Sequence, residues 1–379
     1  MNILAIESSC DETSAAVIGD NCAVLSNVIS SQIEFHKKYG GIVPEIASRK
    51  HVEVISPVIE EALQKAKVDY KELDAVAVTY GPGLIGSLIV GVSAAKAISY
   101  SMDIPLIGVN HLEGHIYANF IQGLEGMRKD QKGLEGIKTK KIPANPSTSL
   151  PLPTNPIFPF ICLIVSGGHT SLVLVEDHGK YKTIGQTRDD AAGEAYDKIA
   201  RFLNLGYPGG PVIDKLAKVG DPEAIPFKRP MMEKEFGYDF SFSGIKTAVV
   251  NYVNRHAALI TIRPTCLPAG KAPPTNAIHI PDLVASFQQA VVDVLVEKTF
   301  RAAKDHNCGS IALAGGVSAN TALREQLTKR GEKEKIEVHI PEFIYCTDNA
   351  AMIGAVAFHK FKAKEFSDLS LSPVASLKL

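Results

Sequence analysis

Short apolar runs bounded by polar turns recur along the chain, and two of them are built alike. Residues 2–7 alternate toward a strand, Glu7-Ser8-Ser9-Cys10-Asp11-Glu12-Thr13 is a polar turn, and Ser14–Ile18 reads as the partner strand of a hairpin. Later, Phe160-Ile161-Cys162-Leu163-Ile164-Val165 is again a strand, Ser166-Gly167-Gly168-His169-Thr170 a turn, and Ser171–Glu176 a second strand. Two such openings, each followed by mixed strands and helices, predict a duplicated α/β architecture. Ile46, Val52, Ile55, Ile59, Ala62 and Leu63 predict a helix from Pro44 to about Ala66, kinked at Pro57. Asp74–Thr79 and Pro105–Val109 read as buried strands, each followed by a helix. In the second half, the acids of Thr187-Arg188-Asp189-Asp190 open a helix, and Tyr207-Pro208-Gly209-Gly210 turns into another. Phe240-Ser241-Phe242-Ser243 reads as lining a loop, and Asp282–Lys304 as a long amphipathic helix. Ser310–Leu313 and Val338–Ile340 are strands, and Asp348 stands at the start of the last helix.

Two tracts break the pattern. Residues 123–156 hold the tandem Gly123-Leu124-Glu125-Gly126-Met127 and Gly133-Leu134-Glu135-Gly136-Ile137, then basic residues, then a Pro/Ser/Thr/Asn-rich run. That composition cannot build a core and predicts a flexible insertion or linker. Residues 256–277 form a second, proline-rich insertion. The expected division is an N-terminal lobe over 1–122 completed by the C-terminal helix at 348–370, the tract at 123–156, and a second lobe over 157–347.

Composition adds bounds. A chain of 379 residues exceeds one ordinary core, and its 45% hydrophobic content is normal for a folded globular protein. No uninterrupted apolar run reaches membrane-spanning length, and Met1–Glu7 lacks a secretory n-region. Six cysteines without a Cys-x-x-Cys pair argue against a disulfide framework and a thiolate zinc site, and with the missing signal they imply a reducing cytoplasm. A net charge of −1 gives no global nucleic-acid footprint, so polynucleotide contacts would come from local patches such as Lys138–Lys141 or Lys228-Arg229.

The candidate chemistry gathers at strand ends. His111 and His115 follow a buried strand and would lie about 40° apart on one helix face, able to grip one metal ion. Asp348 is the best carboxylate to complete the pair, with helix capping as its other reading. His169 is either a third ligand or a phosphate contact. The Ser166–His169 turn suits an anion, through backbone N–H groups and hydroxyls. Gly315 and Gly316 give the stronger nucleotide signal, because they lie at the carboxyl end of a strand. Asp197 and Asp214 either bond ribose hydroxyls or cap helices, and Gly81–Ser87 either approaches a ligand or packs a helix closely.

These motifs together resemble the tRNA N6-adenosine threonylcarbamoyltransferase family of the bacterial TsaD type. The resemblance rests on Glu7–Thr13, Asn110-His111-Leu112-Glu113-Gly114-His115, Val165–Thr170, Asp190–Glu194, Tyr207–Pro211, Gly315–Asn320 and Thr347-Asp348-Asn349-Ala350. It implies the two-lobed fold of the actin, sugar-kinase and heat-shock-chaperone ATPase superfamily. It implies one divalent metal ion per subunit, iron (Fe2+) ahead of zinc, on His111, His115 and Asp348. The adenylate of threonylcarbamoyl-AMP would meet Ile164, Val165, Ser166, Gly167, Gly168, Asp197, Gly210, Asp214 and Asn320. The implied reaction carries threonylcarbamoyl to N6 of the adenosine 3′ of the anticodon in tRNAs reading codons that begin with A. The implied protein partners are a paralogous TsaB-type subunit and a TsaE-type ATPase, with no membrane. Asp11 or Glu12 is expected to assist proton removal from the amine. The rivals are a metal-dependent peptidase and an ATP-binding switch on the same fold. Against the first, Glu113 sits two residues after His111, about 200° around the helix from it.

Overall fold

The structure is a computed structural model that describes residues 1–121, 155–256 and 278–379. Apart from Asn155, Pro156 and His256, the tracts expected at 123–156 and 256–277 lie outside the described residues. Along the chain run β1 (Ile3–Glu7), β2 (Glu12–Ile18), β3 (Val24–Ser31), α1 (Ile33–Lys37), α2 (Pro44–Ala66), β4 (Ala75–Gly81), α3 (Ile85–Met102), β5 (Leu106–Asn110) and α4 (His111–Tyr117). Then come β6 (Phe160–Val165), β7 (Thr170–Asp177), β8 (Lys180–Gln186), α5 (Ala192–Phe202), α6 (Gly209–Ala217) and α7 (Ser243–Arg255). The last elements are α8 (Ile280–Asp305), β9 (Ser310–Ala314), α9 (Thr321–Glu334), β10 (Glu337–His339) and α10 (Ala350–Ala363). The chain divides into two compact units: Met1–Ser30, Ser48–Pro156 and Asn349–Lys378 form one, and Ser31–Ala47, Ile157–Asp348 and Leu379 the other.

The first unit is a sheet in the order β3-β2-β1-β4-β5, with β1 antiparallel to β2 and parallel to β4. Leu4, Ile6, Val76 and Val78 of the sheet share a core with Ile55, Ile59, Ala62 and Leu63 of α2, while α10 packs against β1 and β2. Pro57 lies inside α2 without ending it, so the predicted kink does not break the helix; Val52 is exposed. By length and composition α3 is apolar enough to cross a membrane, yet its buried residues recur every three or four positions and Lys96 lies within it. That periodicity belongs to a helix lying on a sheet, and α3 packs on β4. Gly81 and Gly83 lie where other backbone comes close: a Cβ at Gly83 would come 2.6 Å from the Ser9 carbonyl, and one at Gly81 closer still to the Val374 carbonyl.

In the second unit the order is β8-β7-β6-β9-β10, again with one antiparallel neighbour (β7) and one parallel neighbour (β9) for the first strand. The predicted duplication is therefore present, strand for strand. One expectation is corrected. Phe240 and Phe242 are fully buried, their rings 6.0 Å apart, and Ser243 already begins α7. Two aromatic rings inside the core outweigh the polar residues between them. Asp189 caps α7 by accepting from the backbone N–H groups of Phe242 (2.8 Å) and Ser243 (3.2 Å), a role not visible in its own neighbourhood. Asp190 is held below the usual carboxylate range: burial opposes this, but Lys198 and Lys246 at 2.7 and 2.5 Å prevail.

Candidate metal centre and anion cradle

The strand β5 is wholly buried and ends at Asn110, whose side chain accepts from the Leu112 N–H (2.9 Å) and caps α4. This makes His111 the first helical residue and brings His115 one turn later onto the same face, the two rings 4.6 Å apart and nearly perpendicular. Asp348 directly precedes Asn349, where the first unit resumes. Asn349 is the residue that caps α10, accepting from the Met352 N–H at 3.0 Å. The capping reading of Asp348 is thus corrected. One ligating atom each from His111, His115 and Asp348 lies within 4.8 Å of the others. Among the described residues no other group of three His, Cys, Asp or Glu is placed to hold an ion. Two imidazoles and one carboxylate with positions left open suit non-haem iron, and also zinc.

Glu7 was not singled out as a site residue by the sequence reading. It ends β1 with its side chain fully buried, and His111 Nδ1 donates to its Oε2 at 3.0 Å. Thr79 Oγ1 donates to the same oxygen (2.6 Å), and the Ser9 N–H donates to Oε1 (2.5 Å). A carboxylate that accepts the Nδ1–H hydrogen bond fixes the tautomer and leaves Nε2 as the donor to a metal. The available signal was an acid directly after the apolar Ile3–Ile6 run, where the chain is still inside the sheet. Asp11 is buried and Glu12 begins β2. The turn carrying them is pinned by a second residue the sequence did not flag: buried His51 meets Thr13 Oγ1 through Nδ1 (2.7 Å) and donates from Nε2 to the Cys10 carbonyl (3.0 Å). Glu113 is buried 3.3 Å from the Lys360 ammonium, which also donates to the Gly108 carbonyl. It is an ion-pair partner of Lys360.

In the second unit the sequence's anion-cradle candidates are two turns at strand ends. Ile164 pairs with Ala314, so the Ser166–His169 turn and the Gly315–Asn320 turn leave neighbouring parallel strands at the same end. A Cβ at Gly193 would stand 2.6 Å from the Ser166 carbonyl, and one at Gly315, where φ is +86°, 2.5 Å from the Val165 carbonyl. Only glycine lets the first turn of α5 and the second Gly-Gly turn press onto the end of β6. Gly167, Gly168, Gly210 and Gly316 differ: a Cβ there would meet nothing within 4 Å, which is the room a ligand needs to approach backbone. Ser166 Oγ accepts from the N–H groups of Gly168 (3.3 Å) and His169 (3.1 Å), so two donors already converge on one oxygen. Ile164 and Val165 are fully buried.

The remaining candidates are helix caps. Asp197 Oδ1 accepts from the Gly209 N–H at 2.7 Å and closes the start of α6. Asp214 accepts from the N–H and hydroxyl of Thr321 (3.2 and 2.9 Å) at the start of α9. Asn320 caps α9 through Leu323 N–H (2.9 Å) and donates to Gln288 Oε1 (2.8 Å). In the basic pair proposed for a polynucleotide, Arg229 is paired with Asp293 at 2.7 Å.

A family model described as TsaD, tRNA N6-adenosine threonylcarbamoyltransferase, matches residues 23–129 and 147–355. Proteins carrying that description in Clostridium kluyveri, Clostridium perfringens and Clostridioides difficile are 51%, 50% and 49% identical to the chain, covering 100%, 100% and 99% of it and 98% of each relative. The chain belongs to the tRNA N6-adenosine threonylcarbamoyltransferase family. The family match contains His111, His115, Asp348 and all candidates of the second unit, whereas Glu7, Asp11 and Glu12 precede it. Among solved structures, full-length HypF in its phosphate- and nucleotide-bound form matches with a TM-score of 0.55 at 14% identity, over 97% of this chain and 47% of that one. That likeness is one of fold, and it agrees with the actin-like architecture implied by the family resemblance.

Proposed function

We propose that the chain transfers the threonylcarbamoyl group of threonylcarbamoyl-AMP to N6 of the adenosine 3′ of the anticodon, in tRNAs reading codons that begin with A, and releases AMP. Family membership supplies the reaction class. The observation that carries the reading is the donor set of His111, His115 and Asp348. An ATP-driven switch needs Mg2+, which prefers oxygen ligands and has no use for two imidazoles. One divalent ion per subunit, Fe2+ in preference to Zn2+, belongs there; when bound, it supplies Lewis acidity and a fixed anchor for the acyl donor.

The chain's own residues do the rest. Gly167, Gly168 and the hydroxyl of Ser166 hold the adenylate phosphate, Gly315 and Gly316 let it approach, and His169 flanks it. Asp197, Gly210, Asp214 and Asn320 bind the nucleoside, with Ile164 and Val165 supporting the turn from the core. The adenine amine is a weak nucleophile, its lone pair delocalised into the ring, so holding the donor in place is the main task. As the N6–carbon bond forms, the carbon–oxygen bond to phosphate breaks, AMP leaves with the electron pair, and Asp11 or Glu12 takes the proton lost by N6. A TsaB-type subunit and a TsaE-type ATPase are the proposed protein partners; exposed Val52, Ile85 and Ile89 of the first unit support a subunit interface. The tRNA substrate and the five free cysteines among the described residues support a cytoplasmic location.

The test is label transfer from threonylcarbamoyl-AMP to unmodified tRNA by the purified chain with its partner subunits, beside ATP hydrolysis and casein cleavage. Label in the tRNA is expected. Casein cleavage or ATP turnover without label transfer would overturn the reading.

A further inference from the structure

Arg324 is the fourth residue of α9, and its guanidinium reaches two other segments of the second unit. Nη1 donates to the Ser318 carbonyl (3.3 Å), inside the turn that carries Gly316 and Asn320. Nη2 donates to the Pro341 carbonyl (2.6 Å), the guanidinium carbon stands 4.1 Å from the centre of the Phe343 ring, and Nη1 is 3.7 Å from Cys346 Sγ. Pro341–Cys346 is the segment that leads into Asp348. It has little regular structure of its own: one short 3-10 turn at Phe343–Tyr345, with Phe343 and Ile344 exposed at 61% and 55%. Downstream, the segment is fixed by the Asn349 cap. Upstream, Arg324 ties it down at Pro341, Phe343 and Cys346, and Tyr345 and Cys346 are themselves buried. A guanidinium presents its N–H donors in a rigid planar fork and stacks on a ring at the same time, which a lysine cannot do.

We propose that Arg324 is a positioning residue for the transfer reaction: by bonding the Gly315–Asn320 turn and the Pro341–Cys346 segment at once, it sets Asp348 for the metal and links metal binding to occupancy of the nucleotide turn. The proposal rests on the metal reading of His111, His115 and Asp348. The link is reciprocal, so a nucleotide that favours one placement of the turn changes metal affinity by the same factor that metal changes nucleotide affinity.

The experiment titrates the full-length, metal-stripped protein with Co2+, reading the visible absorption that reports the ligand set, with and without saturating AMP. In the wild type AMP is expected to change the Co2+ dissociation constant by about fivefold or more. Arg324→Lys should weaken Co2+ binding by about tenfold or more, as loss of an outer-layer partner does, and abolish the effect of AMP. Its affinity for AMP alone should stay within about twofold of wild type. Arg330→Lys is the structural control: that arginine lies in the same helix, pairs with Glu297 and Glu334 at 2.6 and 3.0 Å and stacks on Phe300. It should lower Tm and leave Co2+ binding and its response to AMP untouched.

Wild-type Co2+ affinity in Arg324→Lys, or no effect of AMP in the wild type, overturns the proposal while leaving the metal reading intact. Equal losses in Arg324→Lys and Arg330→Lys, tracking Tm, also overturn it. A wild type that binds no Co2+ removes the metal reading and this proposal with it.

Discussion

At the end of β1 stands Glu7, a buried carboxylate; at the matching end of β6 stands Ser166, beside two glycines open to solvent. The two units share a strand order and differ in what they place at those ends. In the first, the donors are side chains withdrawn from water and steered by other side chains: Glu7 orients His111, and His51 pins the turn that carries Asp11 and Glu12. In the second, Gly167, Gly168 and Gly316 leave open space beside the backbone. The difference follows from what each end would bind. A metal ion needs deprotonated ligands held in one tautomer and a supporting layer behind them. An anion needs N–H groups and open space, so side chains there would only obstruct.

Substitutions can break this contrast, beginning with the largest effect. Asp348→Asn should abolish metal binding and lower label transfer by more than about 100-fold, with AMP affinity within about threefold of the metal-stripped wild type, measured by metal analysis and calorimetry. Equal loss of AMP binding would show that the two chemistries are not separate. Glu7→Gln keeps the shape but removes the charge that holds the His111 proton; metal affinity should fall by about 10–100-fold. Unchanged affinity would reduce Glu7 to a packing group. In the second unit, Gly168→Val should weaken AMP by about tenfold, close to 1.4 kcal/mol, at constant Tm. Gly193→Ala should do the reverse, costing about 1–3 kcal/mol of stability through its clash with the Ser166 carbonyl. The smallest effect on transfer is that of Glu113→Gln. Its amide still accepts from Lys360 but leaves that ammonium without its counter-charge, so stability should drop by about 3 kcal/mol while label transfer persists. A collapse of transfer would return Glu113 to the reaction.

Much of this protein is local enough to be read from the chain. Alternating and buried runs predict the strands, because side chains on a strand repeat every two residues; the strand–turn–strand at 2–18 and again at 160–176 revealed the duplication. Helical spacing put His111 and His115 on one face, and Gly315 and Gly316 announced themselves by standing at a strand end. What tertiary structure alone decided is who meets whom. Asp348 read equally well as a cap until Asn349 took that role and left it beside the imidazoles. Asp197, Asp214 and Asp189 cap helices that are not their own, and Phe240 and Phe242 are core despite their polar neighbours. Glu7 reached His111 only after β1, β4 and β5 had paired in register. Periodicity records the face a residue occupies, whereas a hydrogen bond or a ligand set depends on distances between segments remote in sequence, and those distances exist only once the sheets and helices have packed.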